Sequence, residues 1–243
     1  MTTIDVLAIF AHRDDAELTC GGTLAKLARQ GKRTAILDLT QGEMGTRGSA
    51  EIRADEASLS TATLGVTLRE NLELPDASIS NTHETRRELA GVIRRLRPRV
   101  VITHAQQGRH PDHRITAELV RDACFLSGLV KLEPASPTPH PAHRPTKILH
   151  AISFREDNQK PTFVVDISAD FETKLAAIAC YKSQFEGEVQ SGEIYPNGEP
   201  LADVIRHHAA HYGTLIRRKY GEPFYTTETM LVDDITSLEV ATF

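Results

Sequence analysis

Cysteine is scarce in this chain, and none of it stands at metal-motif spacing. Cys20, Cys124 and Cys180 are the full set, an odd number with no close pair. That argues against a disulfide framework or a zinc ribbon and points to a reducing, cytoplasmic compartment. No apolar run approaches the roughly 20 residues that a membrane-crossing helix needs. The N-terminus lacks the basic-then-apolar pattern of a secretory signal. Positive charge is not in excess either. The 28 basic and 33 acidic side chains leave a net charge of −5, whereas nucleic-acid and anionic-membrane binders carry a basic surplus. Internal repeats and low-complexity tracts are also missing.

What is present is alternation. The 243 residues, 40% of them hydrophobic, suffice for one sizeable core and not comfortably for two enzyme domains, so a single domain over 1–243 is expected. Short apolar runs read as strands over 4–10, 33–39, 66–72, 99–103, 148–154 and 162–167. Helices are expected over 15–30, 49–64, 82–96, 113–126, 168–181 and 201–219. Ser49 is a plausible cap, Gly31 and Gly65 are stops, and Pro98 closes the third helix. Strands and helices alternating at this spacing imply βαβ units, hence an α/β fold with a mostly parallel sheet. The proline-rich stretch 133–145 (EPASPTPHPAHRP) reads as an ordered surface excursion or lid within that domain.

The chemistry gathers behind two strands. Directly after the first comes Ala11-His12-Arg13-Asp14-Asp15-Ala16-Glu17. In open parallel sheets, ligands bind beyond the carboxyl ends of the strands. A dinucleotide-binding protein carries a glycine fingerprint there; this chain has an imidazole and two carboxylates instead. The plain alternative is that Asp14 and Asp15 only cap the next helix. After the fourth strand comes Arg109-His110-Pro111-Asp112-His113, at the same sheet edge. Taken alone it reads equally as a polar loop entering a helix. Together the two stretches suit a catalytic zinc ion with three protein ligands and one exchangeable position. His12, one of the two aspartates and one of the two later histidines would supply the ligands, leaving the others for catalysis. Iron or manganese would fit such donors too. His104 ends the fourth strand near this rim. His83, His140, His143, His150, His207, His208 and His211 lack matching carboxylates and read as surface or packing residues.

A third feature follows the second strand: Thr40-Gln41-Gly42-Glu43-Met44-Gly45-Thr46-Arg47-Gly48-Ser49, with Arg53 one turn into the next helix. Glycines permit tight turns and close substrate approach. Arg47 and Arg53 could hold a carboxylate or sugar hydroxyls. No Walker lysine follows, which argues against a phosphate loop.

These segments together resemble the PIG-L/LmbE family of zinc-dependent N-acetylglucosamine deacetylases, which carry A-H-P-D-D-x-E and a later H-x-D-H. Arg13 replaces the usual proline. Gly42 to Arg53 (GEMGTRGSAEIR) and Tyr181 to Phe185 (YKSQF) are similar to segments of the bacillithiol biosynthesis deacetylases. The likeness runs from about Ile4 to Phe224 and does not cover the tail from Tyr225. It implies a Rossmann-like three-layer fold and a zinc ion held by His12, Asp15 and His113. It makes Asp14 the general base. It gives His110 the oxyanion or the leaving amine, with Asp112 orienting His110. Arg53 and Asp76 are implied sugar contacts, and Arg144 is implied to reach the site from above. The implied partner is a small N-acetyl amino sugar, with a homo-oligomer, hexamers included, as the assembly.

The substrate this likeness implies is N-acetylglucosaminyl malate, hydrolysed to glucosaminyl malate and acetate in bacillithiol biosynthesis, with Arg47 or Arg53 meeting the malate. Alternatives are an amidase of sugar-thiol S-conjugates, a deacetylase of another N-acetyl amino sugar, a metal-dependent phosphoesterase, and a non-catalytic sugar- or metal-binding module.

Overall fold

The computed structural model describes residues 3–133, 135, 140–154, 159–186 and 200–240. The chain runs β1 (Val6–Phe10), α1 (Asp15–Arg29), β2 (Thr34–Thr40), α2 (Ala50–Leu64), β3 (Leu68–Leu74), α3 (His83–Leu96), β4 (Val100–His104), α4 (Pro111–Leu126), β5 (Lys147–Ala151), β6 (Phe163–Asp166), α5 (Phe171–Ile178), α6 (Lys182–Phe185), α7 (Leu201–Leu215) and β7 (Gly221–Tyr225). One seven-stranded sheet has the order β3-β2-β1-β4-β5-β7-β6. The first five strands are parallel, and β7 is antiparallel to both neighbours.

The period-2 alternation of strand side chains builds three layers. On β1, Leu7 and Ile9 join Leu89, Ile93, Leu119 and Val120 of α3 and α4. Val6, Ala8 and Phe10 face the other way, toward Leu24 of α1 and Leu64 of α2. The chain leaves β1 for β2 and β3 on one side, then returns to β4 on the other. The carboxyl ends of β1 and β4 therefore flank the switch point where α/β sheets bind ligands. Among the described residues no helix is long and apolar enough to cross a membrane.

The expected elements are present with shifted ends. The third strand starts two residues late, because Gly65 closes α2 in the left-handed region (φ 69°) and Val66 completes that turn. The expected helix over 168–181 is shorter, with α6 following it separately. Strand β7 is an addition. Its sequence, GEPFY, holds three residues disfavoured in strands. What fixes it is Glu222, whose buried carboxylate accepts from Gly22 N–H (2.9 Å), Thr23 N–H (2.7 Å) and Lys174 Nζ (2.6 Å). Helix α1 breaks at Cys20 (φ −132°, ψ 17°), so it is not one uninterrupted helix, and the two amides turn toward the carboxylate. Gly22 fits there because a Cβ would stand 2.8 Å from Ile167 Cδ1.

Of the proline-rich stretch, residues 134 and 136–139 lie outside the described residues. The part from 140 to 145 lies away from the switch point. His143 N–H donates to Ser127 O and its Nε2 meets Pro98 O, at the C-terminal end of α4. The 16 residues of α4, at about 1.5 Å each, separate that end from the switch point.

Lys174→Met leaves the Glu222 carboxylate buried with backbone donors only. We expect a loss of about 3–5 kcal/mol, read as a lower urea midpoint at constant m-value; a loss below about 1 kcal/mol would contradict the pairing. A pH effect accompanies the same region. Burial foremost, then Lys174 and His211, pushes His208 down to about 3. The unfolded imidazole takes a proton near pH 6.5, so unfolding becomes easier as pH falls from there toward 3. His208→Gln should flatten this fall by about 1.4 kcal/mol per pH unit, measured by urea melts between pH 7 and 4.5. An unchanged slope would refute it.

Candidate metal centre

Strand β1 ends in a fixed position. Ala11 N–H donates to His104 Nε2 (3.0 Å), and Ala11 O accepts from Thr40 N–H and Oγ1. His12 is thus delivered to the switch point. Its backbone N–H donates to Asp15 Oδ2 (2.8 Å), and its Nδ1 lies 3.2 Å from the same oxygen. Its Nε2 lies 3.2 Å from Asp76 Oδ1 and 3.4 Å from Asp112 Oδ2. Asp14 occupies the N-cap position of α1 yet makes no side-chain capping bond. Capping therefore does not account for Asp14, whose carboxylate lies 3.7 Å from Arg53 Nη2.

The second stretch opens α4. His110 is the N-cap, its Nδ1 accepting from Asp112 N–H (3.2 Å), and Pro111 takes the first helical position, where no N–H is needed. With Nδ1 as acceptor, a neutral His110 ring carries its proton on Nε2. His113 lies one turn in, its Nε2 3.3 Å from Asp15 Oδ1. Two trios place donor atoms within 4.8 Å of one another: His12, Asp15 and His113; and His12, His110 and Asp112.

The local charges favour a cation. Burial opposes a charge on His12, but Asp112, Asp15 and Asp76 outweigh it and raise the imidazole to about 12. Burial also opposes ionisation of Asp15, yet His113 and His104 hold its carboxyl well below the usual range. Asp14 differs: burial pushes it up to about 6, helped by Asp15 and resisted by Arg53. Two adjacent carboxylates are thus driven apart, the signature of divided roles. Three donors, two imidazole nitrogens and the buried Asp15 carboxylate, suit zinc; the same set accepts iron or manganese.

A cavity of about 270 Å³ opens beside these groups, lined by His12, Asp14, Met44, Gly45, Arg53, Asp76, Ala77 and His110. Arg53 is buried, donates to Gly42 O (2.9 Å), and keeps an Nε without a partner among the described residues. Asp76, an implied sugar contact, accepts from Met44 N–H (2.9 Å) and Ala77 N–H (2.8 Å) and meets His12. Asp112 departs from its implied role. Its Oδ2 accepts from Ala77 N–H (2.9 Å) and faces His12, while only its backbone engages the His110 ring. Arg47 donates to Glu186 O and does not line the cavity. Arg144 is a correction: it stacks on Phe125 and donates to Phe125 O (2.9 Å), at the far end of α4.

Glu17, quoted with the first motif but given no role, is fully buried. Its Oε1 accepts from Ser60 Oγ (2.6 Å), Arg69 Nη1 (2.6 Å) and Tyr181 OH (3.1 Å), and Arg69 also grips Asp38 with two donors. This cluster sits one turn below Asp14. Glu17 follows Asp14 by three residues, a helical spacing that places both on one face; Arg69 had no comparable signal. Tyr181 belongs to the YKSQF segment, whose Ser183 binds Glu56 and whose Gln184 donates to Arg47 O (2.8 Å), fastening the glycine-rich loop. Burial, before the neighbouring His113 and His12, lowers His110, and burial lowers His104 to about 3.

A family model described as PIG-L, GlcNAc-PI de-N-acetylase, matches residues 7–124. A diacetylchitobiose deacetylase of Thermococcus kodakarensis is 33% identical over 232 residues, covering 89% of this chain and 80% of that protein. A Bacillus cereus relative named for the deacetylation of N-acetyl-α-D-glucosaminyl L-malate is 24% identical over 202 residues, covering 76% and 86%. The solved structure of a conserved protein from Thermus thermophilus superposes with a TM-score of 0.83 at 35% identity, covering 95% of this chain and 97% of that one. On this likeness, spread over nearly its whole length, the chain belongs to the PIG-L family of deacetylases.

Proposed function

We propose that the chain is a zinc-dependent hydrolase that removes the acetyl group from an N-acetylglucosaminide. The observation that carries this reading is one cavity lined by three separate functions: His12, a member of a metal-binding trio; Asp14, a carboxylate outside that trio; and His110, a hydrogen-bond donor. The trio is His12, Asp15 and His113. The tautomers support it over the trio containing His110. With Nε2–H of His12 donated to Asp76 and Asp112, the Nδ1 lone pair of His12 is left for an ion, as is usual for ligating histidines with carboxylate partners. His110 instead keeps its Nε2 proton. A bound zinc ion would supply Lewis acidity, polarising the amide carbonyl and lowering the pKa of water toward 7.

The chain's own residues do the rest. Asp14 accepts a proton from the attacking water as the new carbon–oxygen bond forms. His110 Nε2–H stabilises the oxyanion of the tetrahedral intermediate. The carbon–nitrogen bond then breaks, the amine takes up the proton held by Asp14, and acetate and the free amino sugar leave. Arg53 keeps Asp14 in place from 3.7 Å and lines the cavity that would take the sugar.

The cavity of about 270 Å³ lies below the usual 300–1,000 Å³ of small-molecule sites. It takes one sugar unit and leaves the aglycone outside. N-acetylglucosaminyl malate remains a reading based on likeness in the Gly42–Arg53 segment. It loses one support, because Arg47 is engaged by Glu186. Diacetylchitobiose enters as an equal candidate through the relative named for it.

Acetate release should be measured on both substrates, amide cleavage on an S-conjugate of a sugar thiol, and phosphate release on generic phosphoesters. Release of acetate from an N-acetylglucosaminide, abolished by a chelator and restored by zinc, is expected. No acetate from any N-acetyl sugar would overturn the deacetylase reading, and no turnover of the S-conjugate or the phosphoesters either would leave only a binding module. Asp14→Asn should keep zinc and lose about 10²–10⁴-fold in kcat, while His113→Ala should lose zinc itself; equal metal loss in both would remove Asp14 as the base. Arg144→Ala should leave kcat/KM within about twofold, since each tenfold needs about 1.4 kcal/mol at the transition state; a tenfold drop would put the residue back near the substrate.

A further inference from the structure

We propose that His104 is a positioning residue for the metal-binding trio, acting on His12 through the Ala11 amide and on His113 through ring stacking; this rests on the reading of His12, Asp15 and His113 as the ligands. His104 ends β4 and is 3% exposed. Its Nε2 accepts the Ala11 N–H at 3.0 Å, which fixes the backbone immediately before His12. The same nitrogen stands 3.3 Å from Asp15 Oδ2. Its ring stacks on His113 with centroids 3.9 Å apart and planes 10° from parallel.

The residue is itself held. Phe10 packs against the ring edge-to-face at 4.7 Å. The His104 carbonyl faces His150 Nδ1 at 2.7 Å. A bland role exists for such a ring, namely filling space at the end of the sheet. A phenylalanine would do that equally well. What phenylalanine lacks is an acceptor for Ala11 N–H, a fully buried amide that is costly to leave unpaired. Without the acceptor, the end of β1 has no fixed stop on this side, and His12 shifts with it. The stacking face matters separately, because it sets the plane of His113.

Two substitutions part these roles. His104→Phe keeps a ring and removes the acceptor. His104→Gln keeps an acceptor at similar reach and removes the ring. Zinc affinity is measured by competition with a chromophoric chelator, alongside the thermal midpoint of the metal-free proteins and the visible absorption of the cobalt-loaded ones. His104→Phe should lower its metal-free midpoint, because the buried Ala11 amide loses its acceptor, and, where folded, lose about 10–100-fold in zinc affinity, the usual effect of removing a partner that orients ligands. His104→Gln should recover most of that affinity yet shift the cobalt bands, because His113 has lost its stacking partner. Zinc affinity of His104→Phe within about threefold of wild type would overturn the role. If His104→Phe does not fold, His104→Gln decides: cobalt bands identical to wild type would overturn it. Failure of the wild-type chain to take up zinc or cobalt would instead count against the proposed function.

Discussion

The site depends on the carboxylate of Asp15. It is buried, and a buried charge survives only when it is compensated. Its oxygens stand among His12, His104 and His113, which approach from three elements at 3.2–3.3 Å, and a bound cation would supply the compensating charge. A fourth contact, from the His12 amide, fixes its rotamer. Asp15 therefore joins the end of β1, the end of β4 and the first turn of α4. Displacing any one of these would move a donor atom relative to the others, so local folding and ligand geometry are coupled.

The sheet order makes that meeting possible. Residues 12 and 113 are distant in sequence but adjacent in space, because β1 and β4 are neighbours at the crossover. The other side of the cleft is built by hydrogen bonds rather than apolar packing. Asp76 accepts the Met44 amide while its own amide donates to Glu43, so the glycine-rich loop and the end of β3 clasp each other. The same Asp76 reaches His12. Loop position and ligand orientation are thus coupled through a single carboxylate, and a substrate that moves the loop acts on His12 as well.

Much of this was legible in the sequence because it follows short-range rules. Apolar runs of strand length, glycine stops and the Ser49 cap placed the parallel half of the sheet, and the two motifs fell at its carboxyl edge. The rest depends on pairings between distant residues. Strand β7 is hidden because Gly221, Glu222 and Pro223 have no intrinsic preference for a strand; only the partners of Glu222 at Gly22, Thr23 and Lys174 explain it. Arg144 misled because its distance from the site is set by the length of α4, not by its place after a proline-rich stretch. Asp112 sits beside His110 in sequence, yet side-chain direction at the helix start sends its carboxylate to His12.

Arg13 shows how the chain absorbs a departure from its family's pattern. A proline at this position would restrict the backbone φ and remove an amide donor. Arginine does neither, so the turn between His12 and Asp14 needs another restraint. The guanidinium provides it by donating to Ala50 O at 2.5 Å, the first residue of α2. Burial foremost, together with the charges of Arg69 and Arg53, lowers the pKa of Arg13, while Asp38 opposes this. The restraint has thus moved from a ring within the loop to a tether between elements. The turn after β1 becomes fastened to the same helix that carries Arg53, and Arg53 faces Asp14. A local stiffness is replaced by a long-range one that also fixes the distance between the proposed base and its guanidinium neighbour.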